Sequence, residues 1–363
     1  MRARAPSIGL LVALTLSAGC GTEPRELGEG EDPLAADRIQ EISRKVADWQ
    51  LAHSRREALE WTNAVFYSGV MAVYRLTGDD RYRAAMLEMG ERNRWRLGSR
   101  FRHADDHAVA QTYLELYRLE SDPRMHRAFR LSIERMIAEP PDWPKPHQTI
   151  DYWWADALFM SPPALALLAE ATGDEKYLAL LDRLWRETHE LLFDEAQGLY
   201  YRDLRFRNEA EPRFWSRGNG WVLAGLARLL EVLPAERGGR GFYEETFRRL
   251  ATRVVALQGS DGLWRSDLHG TVTSAPGESS GSALFCYALA WGVNRGLLTS
   301  EEAAPAARRA WVALYRNVDE RGRLGWVQEP GAKPGSASSR DREPYGSGAF
   351  LLAAEQIAKL EGP

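Results

Sequence analysis

Leu76-Thr77-Gly78-Asp79, followed by Tyr82, recurs later in the chain as Ala171-Thr172-Gly173-Asp174, followed by Tyr177. In both copies a glycine suited to ending a helix stands directly before an acidic residue suited to beginning the next one. Two other patterns also recur, glycine-rich helix openings at 218–221, 280–283 and 346–349, and aspartate-glycine turns at 194–200, 261–264 and 319–326. Repeated helical hairpins of this kind bury their apolar faces against their neighbours.

Apolar residues at three- and four-residue spacing predict twelve helices from Asp37 onward. Their predicted ranges are 37–53, 60–77, 80–97, 105–120, 123–138, 152–172, 175–193, 218–233, 241–257, 279–297, 301–316 and 345–360. Six hairpins with alternating tight and long connectors favour an all-α (α/α)6 barrel, a single domain with its site in the funnel of long connectors. An open solenoid is the alternative, but its repeats should be shorter and more uniform.

The composition is that of an ordinary globular protein, with 44% hydrophobic and 27% charged residues in a chain of 363. The net charge is -4 and no long run carries one sign, so neither nucleic acid nor an anionic membrane surface is an expected partner. A small molecule is the expected partner instead.

The N-terminus has the pattern of an export signal, with Arg2 and Arg4 before an apolar run and Ser17-Ala18-Gly19-Cys20 after it. We interpret residues 1–20 as a lipoprotein-type signal peptide ending at Cys20, with plain secretion as the alternative. Residues 21–36 should be a flexible tether and residues 37–363 the catalytic domain. The expected location is outside the cytoplasm, anchored to a membrane by lipid and facing the periplasm or the exterior. Cys286, in an apolar run, should be a buried structural thiol.

The segment 151–163, DYWWADALFMSPP, sets the carboxylate of Asp156 among aromatic and apolar side chains. Removal from water raises the pKa of an acid, which suits a group that donates a proton and later takes one back. Flat apolar faces also suit a sugar ring. In the predicted helix 152–172, however, the macrodipole favours the ionised acid and opposes this effect. A helix-start acid with aromatic packing around it is the alternative.

Two further clusters are candidates for the site. In His103-Ala104-Asp105-Asp106-His107 a helix cap accounts for one carboxylate but leaves a second, between two histidines. In Phe214 to Trp221 glycines permit close approach of a ligand, and Arg217 between two indoles is placed to pair with a carboxylate. A glycine-rich turn with a stacked arginine is the alternative for the second cluster.

His147 and His189 are either ligand contacts or surface residues, and aromatic connectors such as 200–203 are expected at the rim. Spacings such as HExxH are absent, so no metal site is predicted. No GxxxxGK phosphate loop is present and the glycines at 218–220 lack the preceding strand of a dinucleotide fold, so no cofactor is predicted.

The His103 to His107 cluster, the segments 154–163 and 215–221, Ser279 to Ala283 and the terminal Tyr345 to Phe350 together resemble glycoside hydrolase family 105. These are the unsaturated rhamnogalacturonyl hydrolases, related to the unsaturated glucuronyl hydrolases of family 88. The resemblance covers nearly everything after residue 40 in the same order. It implies an (α/α)6 barrel that acts in pectin and other polysaccharide degradation, on oligosaccharides ending in the 4,5-unsaturated uronic acid left by lyases.

The resemblance also implies roles for individual residues. Asp156 would protonate C4 of the enol-ether double bond and then activate water to attack C5, while Asp106, as the better match of the Asp105-Asp106 pair, would orient it. The resemblance implies that Trp215, Arg217, Trp61, Asn63 and His147 bind the substrate. We predict four further substrate-binding residues, Trp221, Asp105, His103 and His189.

Two other activities are compatible with the same residues. An ordinary inverting glycosidase would use Asp156 as acid and Asp106 as base. A sugar-binding lipoprotein without catalytic activity would use the same aromatic side chains and Arg217, and would bind its ligand without turnover.

Overall fold

A computed structural model describes residues 24–54, 56–143, 145–209, 213–270 and 277–362. In order along the chain its helices and strands are α1 (Ala36–His53), α2 (Trp61–Thr77), α3 (Asp80–Arg92), α4 (Ala104–His107), α5 (Val109–Glu120), α6 (Arg124–Ala138), α7 (Ala157–Met160), α8 (Pro162–Thr172), α9 (Lys176–Leu192), β1 (Phe193–Asp194), β2 (Leu199–Tyr200), α10 (Leu204–Arg207), α11 (Ser216–Val232), α12 (Arg240–Ala256), α13 (Ser279–Asn294), α14 (Ser300–Arg316) and α15 (Pro344–Glu361).

The long helices form two concentric rings. Each of the inner helices α2, α5, α8, α11, α13 and α15 packs on the next, and α15 closes the ring by packing on α2. The outer helices α1, α3, α6, α9, α12 and α14 pack against the inner ring. The predicted (α/α)6 barrel is therefore confirmed.

Burial explains which helices lie inside. Every residue of α13 from Ser279 to Gly292 is buried, whereas α6 buries only one face, with Met125, Phe129, Ile133 and Met136. A helix without a polar face has to be surrounded by protein. Where α2 crosses α15, a Cβ atom on Gly69 would lie 2.7 Å from the Cα atom of Gly348, so only glycine permits this approach.

The tight turns join an inner helix to the outer helix that follows it, as the repeated motif predicts. Gly78 and Gly173 end α2 and α8 in the left-handed conformation, with φ of 66° and 71°. Asp79 then caps α3 by accepting a hydrogen bond from the amide of Arg81. Because inner and outer helices alternate along the chain, all inner helices begin at the same end of the barrel. The long connectors surround that end and form the funnel.

Two predicted helices are interrupted. The predicted helix 105–120 is divided into α4 and α5 at Ala108, and the predicted helix 152–172 begins only at Ala157 and is divided at Ser161. Pro162 opens α8, where a missing N–H does no harm, but it cannot continue a helix from the preceding turn. Asp156 therefore lies before the short helix α7, not inside a long helix, and its side chain makes no capping hydrogen bond.

The prediction of a flexible tether is wrong for the part of residues 21–36 that the structure describes. The amide of Arg25 donates to the carbonyl of Arg316 at 2.9 Å, and Trp311 Nε1 donates to the carbonyl of Pro33 at 2.8 Å. Tyr315 donates to Glu31, whose pKa is lowered to about 2 mainly by hydrogen bonds from Arg25 and Tyr315. The segment is thus held against α14 by polar contacts that the composition did not reveal.

The predicted signal peptide lies outside the described residues. Within the described ranges, no helix combines the length and apolar character needed to cross a membrane. Cys286 is fully buried, as predicted, and burial raises the pKa of its thiol.

Candidate active site

A cavity of about 180 Å³ opens at the end of the barrel where the inner helices begin. It is lined by Trp61, Asp105, Trp154, Asp156, Met160, Arg202, Trp215, Arg217, Trp221, Pro330 and Gly331. A larger cavity of about 250 Å³ lies at the opposite end of the ring, but there Arg75 and Arg228 are paired with Glu115 and Glu355. The smaller cavity is the candidate active site because it contains acids that are incompletely paired.

Asp156 is fixed by two connectors that pair with each other. Trp154 forms an antiparallel bridge with Asp203, and the amide of Ala155 donates to the carbonyl of Arg202 at 2.9 Å. The Asp156 carboxyl, 8% exposed, accepts a hydrogen bond of 3.2 Å from Arg202 at Oδ2, while Oδ1 is buried and has no hydrogen-bond partner among the described residues.

Burial raises the pKa of Asp156, and the positive charges of Arg202 and Arg217 oppose this rise without cancelling it. The aromatic surroundings therefore act as the sequence predicts. The macrodipole of a long helix, which would favour ionised Asp156, does not act on it here because Asp156 lies outside such a helix.

Asp105, in α4, is the second acid of the cavity. Burial, and next the charge of Asp156, raise the pKa of Asp105 to about 7, although Arg100 and Arg202 act in the opposite direction. Two acids that share a small cavity and both hold their protons more tightly than usual are typical of acid and base catalysis.

Asp106, the predicted second catalytic acid, does not line the cavity. Its carboxyl accepts hydrogen bonds from the amide of Arg100 at 2.7 Å and from Nε of Arg100 at 3.0 Å. A Cβ atom on Gly98 would lie 2.4 Å from the same carboxyl, so the connector is wrapped tightly around it. Asp106 holds the connector before α4 in place, and its neighbour Asp105 takes the position facing Asp156.

His103 supports the cavity from behind. Its ring packs on Trp154 with a centroid distance of 4.7 Å, and its pKa is lowered to about 4 by burial and next by the charge of Arg100. The approach of its Nδ1 atom to Asp105, at 3.6 Å, is therefore not an ion pair at neutral pH.

Arg202 is a site residue that the sequence interpretation placed only at the rim. Its Nη1 atom donates to Oδ2 of Asp203 at 2.6 Å, and Asp203 is fully buried and also binds Arg205. The guanidinium lies 5.5 Å from the ring of Trp153. The sequence signal was an arginine next to an acid in an aromatic connector, but it gave no indication that the second partner is Asp156.

Aromatic rings form the apolar side of the cavity. Trp61 stacks on Tyr345 with a centroid distance of 5.0 Å and meets Trp221 edge-on at 6.2 Å. Arg217 lies 4.2 Å over the ring of Trp215, and its second ring is Tyr345, not a second indole as predicted. These flat faces provide a surface suited to a sugar ring.

Arg217 was predicted to bind a ligand carboxylate, but it is largely engaged within the protein. Its guanidinium donates to the carbonyls of Gln328 and Glu329 and to the hydroxyl of Tyr345. Three of its five N–H groups are thus occupied. Its main observed role is to hold the connector that precedes α15.

The remaining predicted site residues are not among those that line the cavity. Asn63 donates to the carbonyls of Arg56 and Glu57 and thereby fixes the connector before α2. The ring of His147 meets Trp153 edge-on at 4.8 Å. His189 packs on Phe193 and contacts the hydroxyl of Tyr200, and burial lowers its pKa to about 4.

The fold and the site define a glycoside hydrolase. Residues 36–361 match the family model described as Glycosyl Hydrolase Family 88, and the chain belongs to that family. This confirms the resemblance drawn from the motifs, in which family 88 is the related family.

Individual relatives and solved structures are similar to the chain over most of its length. The chain is similar to the unsaturated 3S-rhamnoglycuronyl hydrolase of Formosa agariphila, with 39% identity over 87% of this chain and 89% of that protein. Among solved structures, a glycosyl hydrolase family 88 protein from Bacteroides vulgatus has a TM-score of 0.82 and 28% identity, covering 90% of this chain and 99% of its own. A structure named as a polysaccharide lyase has a TM-score of 0.81 and 31% identity, covering 89% of this chain and 97% of its own.

Proposed function

We propose that this protein removes the 4,5-unsaturated uronic acid from the non-reducing end of oligosaccharides produced by polysaccharide lyases. The name of the Formosa relative suggests rhamnose as the neighbouring sugar. The observation that carries the proposal is the presence of two acids, Asp105 and Asp156, both with raised pKa, in a cavity of about 180 Å³ with aromatic walls.

The size and charge of the cavity suit this substrate. Pockets for drug-sized ligands usually measure about 300–1,000 Å³, so this smaller cavity favours a single sugar ring. Two of its lining residues, Arg202 and Arg217, carry positive charge beside the acids. A ring that carries a carboxylate is therefore favoured over a neutral one.

The proposed reaction is a hydration of the enol-ether double bond. Protonated Asp156 gives its proton to C4, and the positive charge that develops at C5 is shared with the ring oxygen. The resulting carboxylate takes a proton from the water molecule whose oxygen bonds to C5, which restores the acid. Asp105 orients the ring and Asp156.

The product of this step breaks down without further help from the protein. The C5 hydroxyl and the ring oxygen form a hemiketal, which opens to a ketone at C5 and leaves the ring oxygen as a hydroxyl on C1. The hemiacetal at C1 then releases the neighbouring sugar. One water molecule is consumed, and no net oxidation or reduction occurs.

The ordinary inverting glycosidase loses support from the position of Asp106. Its carboxyl, the proposed base of that mechanism, is bound by the amide and side chain of Arg100 and does not line the cavity. Hydration of an alkene needs only one carboxyl that gives and regains a proton, so it does not depend on Asp106.

The proposal is tested with unsaturated disaccharides made by lyases from pectin, glycosaminoglycans and rhamnose-linked uronates. We expect the ultraviolet absorbance of the conjugated double bond to fall while free sugar appears. A rise in absorbance with an intact polysaccharide would instead indicate a lyase. Binding of the disaccharides without turnover would indicate a sugar-binding protein, and release of sugar from saturated glycosides would indicate an ordinary glycosidase.

We also propose that the protein is exported and lipidated at Cys20, on the basis of the sequence pattern before that residue. Labelling of bacteria with a radioactive fatty acid should mark the wild-type protein and not the Cys20→Ser variant. Equal labelling of both would exclude this anchor.

A further inference from the structure

The backbone of Gln328, in the connector before α15, forms hydrogen bonds with residues at the beginnings of three inner helices. Its amide donates to Oε1 of Glu278 at 3.1 Å, and its carbonyl accepts hydrogen bonds from Arg217 and Tyr345. These partners belong to the beginnings of α13, α11 and α15, respectively. The backbone of the connector is therefore fixed to the rim of the cavity at this residue.

The side chain of Gln328 is engaged as completely as its backbone. Its Oε1 atom accepts from Trp215 Nε1 at 3.2 Å and from the amide of Gly335 at 3.1 Å, and its Nε2 atom donates to the carbonyl of Lys333 at 2.9 Å. The residue is only 8% exposed. Gln328 thus closes the segment 328–335 into a loop and ties that loop to Trp215.

Glu278 supports this arrangement from beneath. It is fully buried, and it caps α13 by accepting hydrogen bonds from the amides of Ser280 at 2.9 Å and Gly281 at 2.7 Å. The same Oε1 atom that caps the helix also accepts from Gln328. The loop is consequently fixed relative to the helix ends and not only to other connectors.

The loop brings Pro330 and Gly331 to the cavity. Other lining residues such as Trp61, Asp156 and Trp215 lie at or just before the beginnings of helices, whereas Pro330 and Gly331 lie in the middle of a long connector. Both residues are also exposed to solvent. They therefore lie where the cavity meets solvent.

We propose that the segment from Gln328 to Gly335 is the wall that limits the cavity to one terminal sugar ring, and that Gln328 is the positioning residue of this wall. The inference rests on the proposed function. The unsaturated ring has no sugar on C4, because the lyase that formed the double bond removed it. A cavity closed by a wall accepts such a chain end and excludes a ring in the middle of a polysaccharide.

A change of one atom tests the role of Gln328. The variant Gln328→Glu retains an oxygen for Trp215 and Gly335 but places a second, negatively charged oxygen against the carbonyl of Lys333, which repels it. We expect KM for the unsaturated disaccharide to rise roughly tenfold, the equivalent of 1.4 kcal/mol, while kcat changes by less than about threefold.

Gln258→Glu is the matched control. Gln258 also donates from Nε2 to backbone carbonyls, those of Gly262 at 2.8 Å and Ala306 at 2.9 Å, but it does not line the cavity. It undergoes the same chemical change in a comparable setting. We expect KM of this variant to match that of the wild type.

Two glycines of the loop give an independent test. A Cβ atom on Gly335 would lie 3.2 Å from Nε2 of Gln328, so Gly335→Ala should displace Gln328 and raise KM as Gln328→Glu does. Among the described residues, the atom nearest to a Cβ atom on Gly331 would lie 3.8 Å away. Gly331→Ala should therefore leave the thermal unfolding temperature unchanged, which makes it the control for a methyl group in this loop.

Competition by a longer sugar tests whether the wall selects chain ends. A saturated oligosaccharide whose uronate continues through O4 should not inhibit the wild type, and it should inhibit Gln328→Glu and Gly335→Ala. Equal inhibition of all three proteins would overturn the proposal, as would unchanged KM in both variants. A wild type that is inactive on every unsaturated disaccharide would instead overturn the proposed function.

Discussion

Nε of Arg202 donates a hydrogen bond of 3.2 Å to Oδ2 of Asp156, while Oδ1 of the same carboxyl is buried and meets no hydrogen-bond donor in the part of the chain that the structure describes. One oxygen is thus bound by a positively charged donor, and the other accepts no hydrogen bond from the described residues. Burial raises the pKa of this carboxyl and Arg202 limits the rise. Arg202 therefore acts on the proton affinity of the proposed catalytic acid.

Replacement of Arg202 should extend activity towards higher pH. In Arg202→Gln the cation that favours ionised Asp156 is lost, so the acid keeps its proton to higher pH. The high-pH limb of the kcat profile should then move upward, and KM should rise if Arg202 also contacts the substrate carboxylate.

Arg205→Gln is the control for this change. Arg205 binds Asp203, as Arg202 does, but it makes no hydrogen bond to Asp156. Its pH profile should match that of the wild type. A high-pH limb that stays in place in Arg202→Gln would refute the electrostatic role.

Asp156→Asn should fold normally and lose activity. The amide has the same shape but no proton of suitable acidity for C4, and general acid catalysis typically contributes about 10²- to 10⁴-fold. We expect kcat to fall by about 10³-fold, measured from the absorbance of the double bond. If the absorbance fell at the wild-type rate in Asp156→Asn, Asp156 would not be the general acid.

Asp105→Asn should stabilise the protein, most strongly at high pH. The folded-state pKa is about 7, above the ordinary value of 3.8, so between these pH values the folded protein keeps a proton that the unfolded chain gives up. Stability is therefore lost as pH rises through this window, and the full penalty is present above about 7.

In Asp105→Asn the side chain cannot ionise, so this loss of stability at high pH disappears. The proposed role of Asp105 in orienting the ring and Asp156 is lost as well. We expect Tm at pH 8 to rise by about 2 to 4 °C, the effect of about 1 kcal/mol in a large domain, and the gain to disappear near pH 4. Tm values measured across this pH range check the sign. A gain independent of pH would show that ionisation of Asp105 is not its cause.

Asp106→Asn should have the opposite pattern, with lower stability and retained catalysis. The change weakens the hydrogen bonds from Arg100, and a bond to a charged group is worth about 1.5–3 kcal/mol. Denaturant unfolding should show a loss of this order, with kcat within a few fold of the wild type. If Asp106→Asn were as stable as the wild type but had a kcat as low as that of Asp156→Asn, Asp106 would have a catalytic role.

The choice between Asp105 and Asp106 illustrates what could not be predicted. Both acids stand in the same cluster, and the family resemblance favoured Asp106. The helix begins earlier, at Ala104, and Arg100 returns along the chain to occupy the carboxyl of Asp106. Arg100 binds Asp106 and not Asp105, and this choice decides which carboxyl faces the cavity. The spacing of residues in the sequence does not predict it.

The same limit applies to the arginines. Arg217 was predicted to bind a ligand carboxylate. Its guanidinium instead donates hydrogen bonds to the carbonyls of Gln328 and Glu329, more than a hundred residues away in sequence. Arg202 was assigned to the rim, yet it reaches Asp156 through a bridge between two connectors. Each outcome depends on contacts between connectors that are distant in sequence.

The sequence by itself determined the barrel and the acid among aromatic residues. Apolar spacing, glycine ends such as Gly78 and the setting of Asp156 act over a few residues, so they can be read locally. Only the tertiary structure decided which acid faces Asp156, where its arginine comes from and what closes the cavity. Those properties depend on contacts between the connectors at one end of the barrel, which are distant from one another in sequence. Each carboxylate and guanidinium there forms hydrogen bonds with whichever donors and acceptors the fold places next to it.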